Sequence, residues 1–266
     1  MERLLPEQLP LLQPFFADSE ETLLLSCMEG AFGEAWADNA QNPSCVKAIV
    51  ADFTFFAGDA DAPEATALIA HCTPAQQTRG FTLFVPSDER WSALIERVWN
   101  QHARRVTRYA IKKEPDVFDV EKLRRFVSAL PEGYELRQID AELYHRVMQT
   151  DWARDLCAAF QSADDFLTRG LGFLVLHQGE LAAGCASYTS YSGGYEIEVD
   201  TRADHRQKGL ATVCAARFML EALARGKYPS WDAQNPISVR LAEKLGYHFS
   251  HAYPTYEITP NNQQGE

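Results

Sequence analysis

The run Arg206-Gln207-Lys208-Gly209-Leu210-Ala211 lies between a strand-like stretch and an apolar, helix-like one. A loop of this make-up suits a polyanion. Gly209 lets the backbone turn tightly and approach a ligand with no side chain in the way. The amides that follow are the unpaired donors of a helix N-terminus, where the macrodipole favours negative charge. Arg206 and Lys208 add cations at the same mouth. Residues Arg206, Gln207, Lys208, Gly209, Leu210 and Ala211 therefore suit a diphosphate cradle made chiefly of backbone N–H groups, although many surface turns carry the same pattern. Just upstream, Glu196 and Glu198 are two apart, so a strand places both carboxylates on one face. Such a pair can raise one another's pKa toward neutrality and act on protons; otherwise it only solvates a strand face.

Competing signatures are missing. There is no GxxxxGK[ST] phosphate loop, no GxGxxG dinucleotide turn and no GxSxG nucleophile elbow. The seven histidines make no HExxH pattern, and His248 and His251 lack a carboxylate companion at ligand spacing, so no metal site is expected. Six widely spaced cysteines with no CxxC read as free thiols in a reducing compartment.

Elements must hold the cradle in place. Tyr134–Ile139 reads as a short strand, followed by helical stretches over 140–149 and 163–169. Strands over 172–177 and 181–190 are joined by the turn Gln178-Gly179-Glu180. A strand over 195–200, the polar loop and a helix over 209–225 come next, with Gly226 just past the helix end. A short strand over 229–233, a helix over 236–245 capped by Asn235, and a final pair of strands over 247–258 complete the half. The first half gives strands over 46–57, 80–85 and 105–113, and helices over 87–102 (capped by Ser87) and 119–129, with no motif. Leu130-Pro131-Glu132-Gly133 is the best boundary, dividing a smaller α+β domain, 1–130, from a domain over 131–266. No internal repeat is visible.

The 266 residues carry 25 Lys and Arg against 37 Asp and Glu, a net charge of −12. That balance argues against nucleic acid as the main ligand. No apolar run is long enough to span a bilayer, and Glu2, Glu7 and three early prolines break any signal-peptide pattern, so membrane and export are not expected. Against this acidity, residues 104–130 hold eight basic and four acidic residues, a solvated face or a phosphate or interdomain contact.

The run EIEVDTRADHRQKGLATVCAARFMLEAL, with NPISVRLAEKLGY beginning at Asn235, resembles the GNAT superfamily of acetyl-CoA-dependent N-acetyltransferases over roughly 131–258. The segments YPSWDAQN, LAEKLGY, RYAIKKE and DF resemble a subfamily in which an N-terminal domain precedes the transferase domain, and which includes a resistance enzyme acetylating an aminopolyol antibiotic. The resemblance implies an α/β fold, a mixed twisted sheet flanked by helices, in a cytoplasmic monomer or homodimer. It implies acetyl-CoA as cosubstrate, with Arg206 to Thr212 on the diphosphate, the backbone of Val199 and Thr201 on pantetheine and Asn235 and Ser238 reaching the cofactor arm. Asn235 also reads as a plain helix cap, and Ser238 as polar packing.

Direct acyl transfer implies a base: Glu198, through a water if distant, with Glu196 orienting a cationic amine of a small molecule. The 1–130 domain would supply a wall of the acceptor pocket. Many members carry Tyr where this chain has Ala242, which leaves Tyr253, Tyr256 or an unassisted thiolate as leaving-group chemistry. A non-catalytic acyl-CoA sensor and a protein lysine acetyltransferase are the rival readings.

Overall fold

A computed structural model describes residues 1–260. The chain divides into two compact units, Met1–Arg108 with the chain from Ala252 on, and Tyr109–His251.

The first unit contains β1 (Glu2–Arg3), a 3-10 stretch (Pro6–Phe15), α1 (Thr22–Met28), β2 (Glu34–Ala37), β3 (Cys45–Val50), β4 (Phe53–Gly58), α2 (Ala65–Ala70), α3 (Pro74–Arg79), β5 (Thr82–Pro86) and α4 (Glu89–Trp99), with the start of β6 (Ala103–Ile111). Strands β1 to β4 pair antiparallel in sequence order, and β5 runs parallel to β4. The stretch expected as one strand over 46–57 is instead a hairpin: Ala51 takes a φ of 54°, and Val50 faces Phe53 across a two-residue turn. Helix α4 is capped by Asp88 rather than Ser87; its Oδ1 accepts from the Arg90 and Trp91 amides. The core is aromatic. Trp91 is fully buried, stacks on Phe56 at 5.5 Å, and donates Nε1–H to the Gly58 carbonyl at 3.0 Å. Lys47 is buried too, and its Nζ donates to the Leu68 and His71 carbonyls at 2.9 and 2.8 Å. Burial pushes that ammonium down to about 7.

The second unit contains α5 (Val120–Ser128), β7 (Tyr134–Gln138), α6 (Ala141–Gln149), α7 (Ala163–Arg169), β8 (Gly172–His177), β9 (Glu180–Tyr191), β10 (Gly194–Thr201), α8 (Leu210–Ala224), β11 (Tyr228–Ser230), β12 (Asp232–Ala233), α9 (Pro236–Leu245) and the start of β13 (Phe249–Ile258). Strands β7 to β10 pair antiparallel in order, and β11 runs parallel to β10. Helix α8 is apolar nearly all round, as befits a helix buried on both sides. Its Val213, Phe218, Met219 and Ala222 pack with Phe173 and Val175 of β8, Tyr195 and Ile197 of β10, and Leu123 of α5.

Two differences from the sequence reading follow. The compact units part at Arg108/Tyr109, so Leu130–Gly133 lies inside the second unit, because Leu123 is wholly buried in that unit's core and Phe126, Val127 and Leu130 pack beside it. The chain over 249–258 forms one strand, β13, rather than two; its start lies in the second unit, and its end pairs with β5 through Tyr256↔Phe84 in the first.

The fold also repeats, which the sequence did not reveal. Each unit has a strand, helices, three antiparallel strands, helix, a strand parallel to the last, and a further helix. Loop chemistry differs between the copies. Where the second copy has Arg202–Gly209, the first has the acidic Asp59–Glu64.

Candidate active site

The site is built where β10 and β11 part. Their parallel pairing covers Gly194–Glu196 against Tyr228–Ser230 and goes no further, so among the described residues β10 is paired from Ile197 to Thr201 on its β9 side alone. The backbone N–H and C=O groups on the other side face an opening, and such an edge is a template for an extended ligand. Side-chain contacts help to hold the parting strand. Lys113 Nζ donates to the Trp231 carbonyl at 3.1 Å, and Tyr247 Oη donates to the Pro229 carbonyl at 2.6 Å.

Val199 and Thr201 lie on the open stretch. Val199 turns its side chain to the α8 core and offers only backbone. Thr201's N–H is engaged by the Asp200 carboxylate at 2.6 Å, and its carbonyl accepts from Arg206 Nε at 3.2 Å. The loop then turns into α8 through two left-handed residues, Gln207 at φ 62° and Gly209 at φ 79°. A Cβ on Gly209 would meet nothing within 4 Å, so the space before the first α8 amides is open. Arg206, Gln207, Lys208 and Gly209 are exposed; Leu210 buries its side chain and contributes its amide. Ala211 is half-buried on the first turn. Thr212 is buried, and its Oγ1 accepts from Lys244 Nζ at 3.3 Å. These features fit a diphosphate.

Tyr195, Ile197 and Val199 face α8, so Glu196, Glu198 and Asp200 share the opposite face. Across the ladder Glu196, Glu198 and Asp200 stand opposite Thr189, Ala186 and Gly184, with the register shifting between Glu196 and Ile197. Tyr188 is the extra residue of a β-bulge between Thr189 and Ser187, set where the strands begin to part, and bulges are common beside active sites. Glu196 is 5% exposed, between Thr189 and Ser230 on the neighbouring strands, while Glu198 is only half-buried and open to reagents.

Asp200, Thr189 and Ser230 were not singled out from sequence. Burial pushes the Asp200 carboxyl above its ordinary range, with Asp155 adding to the rise and the Thr201 amide and Arg206 opposing it. The alternation of carboxylates along β10 was the available signal for Asp200. Thr189 and Ser230 had none, since cross-strand partners come from pairing register.

Asn235 caps α9, its Oδ1 accepting from the Ile237 and Ser238 amides at 2.9 and 3.0 Å, which leaves the carboxamide nitrogen for a ligand. Ser238 is engaged elsewhere, accepting from Trp231 Nε1 at 3.0 Å. Ala242 is wholly buried and brings no acid. Tyr256 donates to Glu96 Oε1 at 2.6 Å within the first unit's core, and Tyr253 is also in that unit. Among the basic residues of 104–125, ion pairs within the chain join Arg104 to Glu257, Arg105 to Glu89 and Glu96, Arg124 to Glu121 and Arg125 to Asp119. All six cysteines are buried and form no disulfide. Among the described residues no group of three His, Cys, Asp or Glu is placed to hold a metal ion, and no helix is long and apolar enough to cross a membrane.

A mixed sheet whose parallel strands part beside a helix N-terminus defines the acetyltransferase class. The sequence model of the GNAT acetyltransferase family matches residues 13–256, and this chain belongs to that family. It is therefore an acyltransferase. The match spans both units, beyond the 131–258 of the sequence resemblance. A GCN5-related N-acetyltransferase-like protein from Streptococcus suis 89/1591 is 40% identical, with a TM-score of 0.88 over 95% of this chain and 98% of that one. A Bacillus subtilis (strain 168) protein described as an uncharacterized N-acetyltransferase, YdfB, is 27% identical over 185 residues, 68% of this chain and 67% of its own. A tandem GNAT protein from the clavulanic acid biosynthesis pathway shares the fold alone, at 14% identity and a TM-score of 0.58 over 97% of this chain and 96% of that one.

Proposed function

We propose that this protein transfers the acetyl group of acetyl-CoA to a primary amine of a small molecule by direct attack in a ternary complex. The observation that carries the reading is the parting of β10 from β11 after Glu196, beside a loop whose Gln207 and Gly209 turn left-handed into α8. Acetyl-CoA would supply the activated acyl group. The amides from Gly209 to Thr212, with Arg206 and Lys208, would hold its diphosphate, and the β10 edge at Val199 its pantetheine, with Thr201 contributing once its amide and carbonyl exchange Asp200 and Arg206 for the ligand. Asn235 would reach the arm through its carboxamide nitrogen.

The amine must lose a proton before it attacks. Glu198, half-buried on the acidic face, is the base, through a water where the amine stands off. Glu196 orients the incoming cation, and a backbone N–H near Val199 polarises the thioester carbonyl. With Ala242 in place of an acid, the thiolate leaves unassisted, which a thiol pKa near ~8.5 allows. Three carboxylates on one face favour a cationic acceptor such as an aminopolyol. A cytoplasmic setting suits six buried, unpaired thiols.

Amine-dependent release of CoA thiol across a panel of small amines tests the reading. Thiol release above the amine-free rate supports it. CoA binding with no release for any amine would point to an acyl-CoA sensor, and acetylated lysines on a protein partner would point to a protein-modifying enzyme.

A further inference from the structure

We propose that His205 is a positioning residue that pins the diphosphate loop to the far edge of the five-stranded sheet, and that protonating it releases the loop. The inference rests on the cradle reading above and extends it to control of the cradle.

The geometry assigns the tautomer. His205 is 4% exposed, at the end of the 3-10 turn Ala203–His205, immediately before Arg206. Its Nε2 is 2.6 Å from Arg202 Nη2, and a guanidinium only donates, so Nε2 carries no proton and accepts. The ring proton is then on Nδ1, which donates to Tyr134 Oη at 2.8 Å. Tyr134 opens β7, so the bond ties the loop to the strand at the opposite edge of the sheet from β11. His177 of β8 completes the packing, with its ring 5.2 Å from His205 and 4.8 Å from Tyr134.

Protonation would reverse one of these bonds. An Nε2–H would point at a guanidinium N–H 2.6 Å away, setting two donors and two cations head to head. Among the described residues, Arg202, Lys208 and His177 disfavour the imidazolium, Asp204 at 3.6 Å favours it, Tyr134 faces it from β7, and Glu180 acts on Arg202. Asp204 is already engaged by Arg202 through both carboxylate oxygens. Burial, the largest cause, also holds the imidazole below its ordinary range.

The sign follows from linkage. The pinned state has the lower pKa, so the pin is at full strength above the ordinary histidine value near ~6.5 and is lost as pH falls toward the pinned-state value. Released, the 3-10 turn no longer presents Arg206–Gly209 ahead of α8. CoA affinity should then fall, by at most about tenfold for each pKa unit separating the two states.

Two measurements on the full chain test this, with wild type and His205→Gln compared between pH 7.5 and 5.5. The first is amide hydrogen exchange over residues 203–210 without ligand, corrected for intrinsic rates. Protection in wild type should drop below pH 6.5, and His205→Gln should show no such step. A flat wild-type profile, or two superimposable profiles, would overturn the pin, and the wild-type profile decides even if the variant folds poorly. The second is calorimetry with coenzyme A, whose own phosphate titration is common to both proteins and cancels in the comparison. The affinity of wild type should fall more steeply than that of His205→Gln. A step in exchange with no change in CoA affinity would keep the pin and sink the cradle reading; CoA binding with no step in either would do the reverse.

Discussion

Thr189 stands directly across the β9–β10 ladder from Glu196, and its wholly buried Oγ1 has no hydrogen-bond partner among the described residues. Leaving a buried hydroxyl unsatisfied costs about 1–3 kcal/mol, so the site keeps it at a cost in stability. Thr189→Val preserves shape and removes the orphan. Thermal unfolding should show no loss of stability, or a gain of up to about 1 kcal/mol, while kcat/KM should drop roughly tenfold. A stability loss with turnover intact would mean the hydroxyl serves packing alone.

The two glutamates next to it should separate by exposure. Glu198→Gln keeps size and hydrogen bonding but removes basicity, so kcat should fall by about 10²–10⁴ with CoA affinity retained, and the ascending limb of the pH–rate profile should disappear. Glu196→Gln, on a side chain 5% exposed, should act mainly on the KM for the amine. If the larger kcat loss belongs to Glu196→Gln, the roles are exchanged.

At the cradle, Gly209→Ala adds only the strain of a left-handed residue, about 1–2 kcal/mol, because its Cβ meets open space. Gly209→Asp adds negative charge where the diphosphate belongs. Calorimetry should show CoA binding weakened much more by Asp than by Ala; equal effects would locate the diphosphate elsewhere.

How much of this could be read from sequence depended on distance along the chain. The loop from Arg206 to Thr212, the Asn235 cap and helix α8 depend on residues within a turn or two, and each stands where the spacing put it. The His205 pin was not legible, because its partner Tyr134 is 71 residues away. Ser238 read equally as a cofactor contact or as polar packing, and its oxygen accepts from Trp231, seven residues back, a contact that spacing does not show. The hairpin at Ala51 was missed because an alanine with positive φ leaves no mark in the sequence. The repeat escaped for a related reason: a sheet needs only buried residues at the right period, and Cys45–Val50 and Glu180–Tyr191 meet that with different side chains.

Tyr256 should be catalytically silent. Its hydroxyl is held by Glu96 in the first unit, within a ring of Phe84, Trp91 and Ile258. Tyr256→Phe should lower stability by about 1 kcal/mol, or slightly more because the acceptor is a carboxylate, and leave kcat within about twofold. A fall in kcat of tenfold or more in the folded variant would return this tyrosine to the list of leaving-group acids.

The final test concerns where the transferase unit begins. A cut at the Pro131-Gly133 break discards α5, yet Leu123 of that helix is wholly buried among α8 and sheet side chains, with Phe126, Val127 and Leu130 packed beside it. Removing a buried leucine side chain costs about 2–5 kcal/mol, and removing four packed apolar groups exceeds the stability of most domains. Leu123→Ala in the full chain should therefore lower the urea midpoint by about that free energy with the denaturant slope unchanged. A chain starting at residue 131 should show exposed apolar surface, low solubility and loss of the cooperative unfolding transition. If the 131–266 chain unfolds cooperatively with the stability of the intact protein, α5 belongs to the first unit instead, and the break at Pro131 is the true start of the transferase unit.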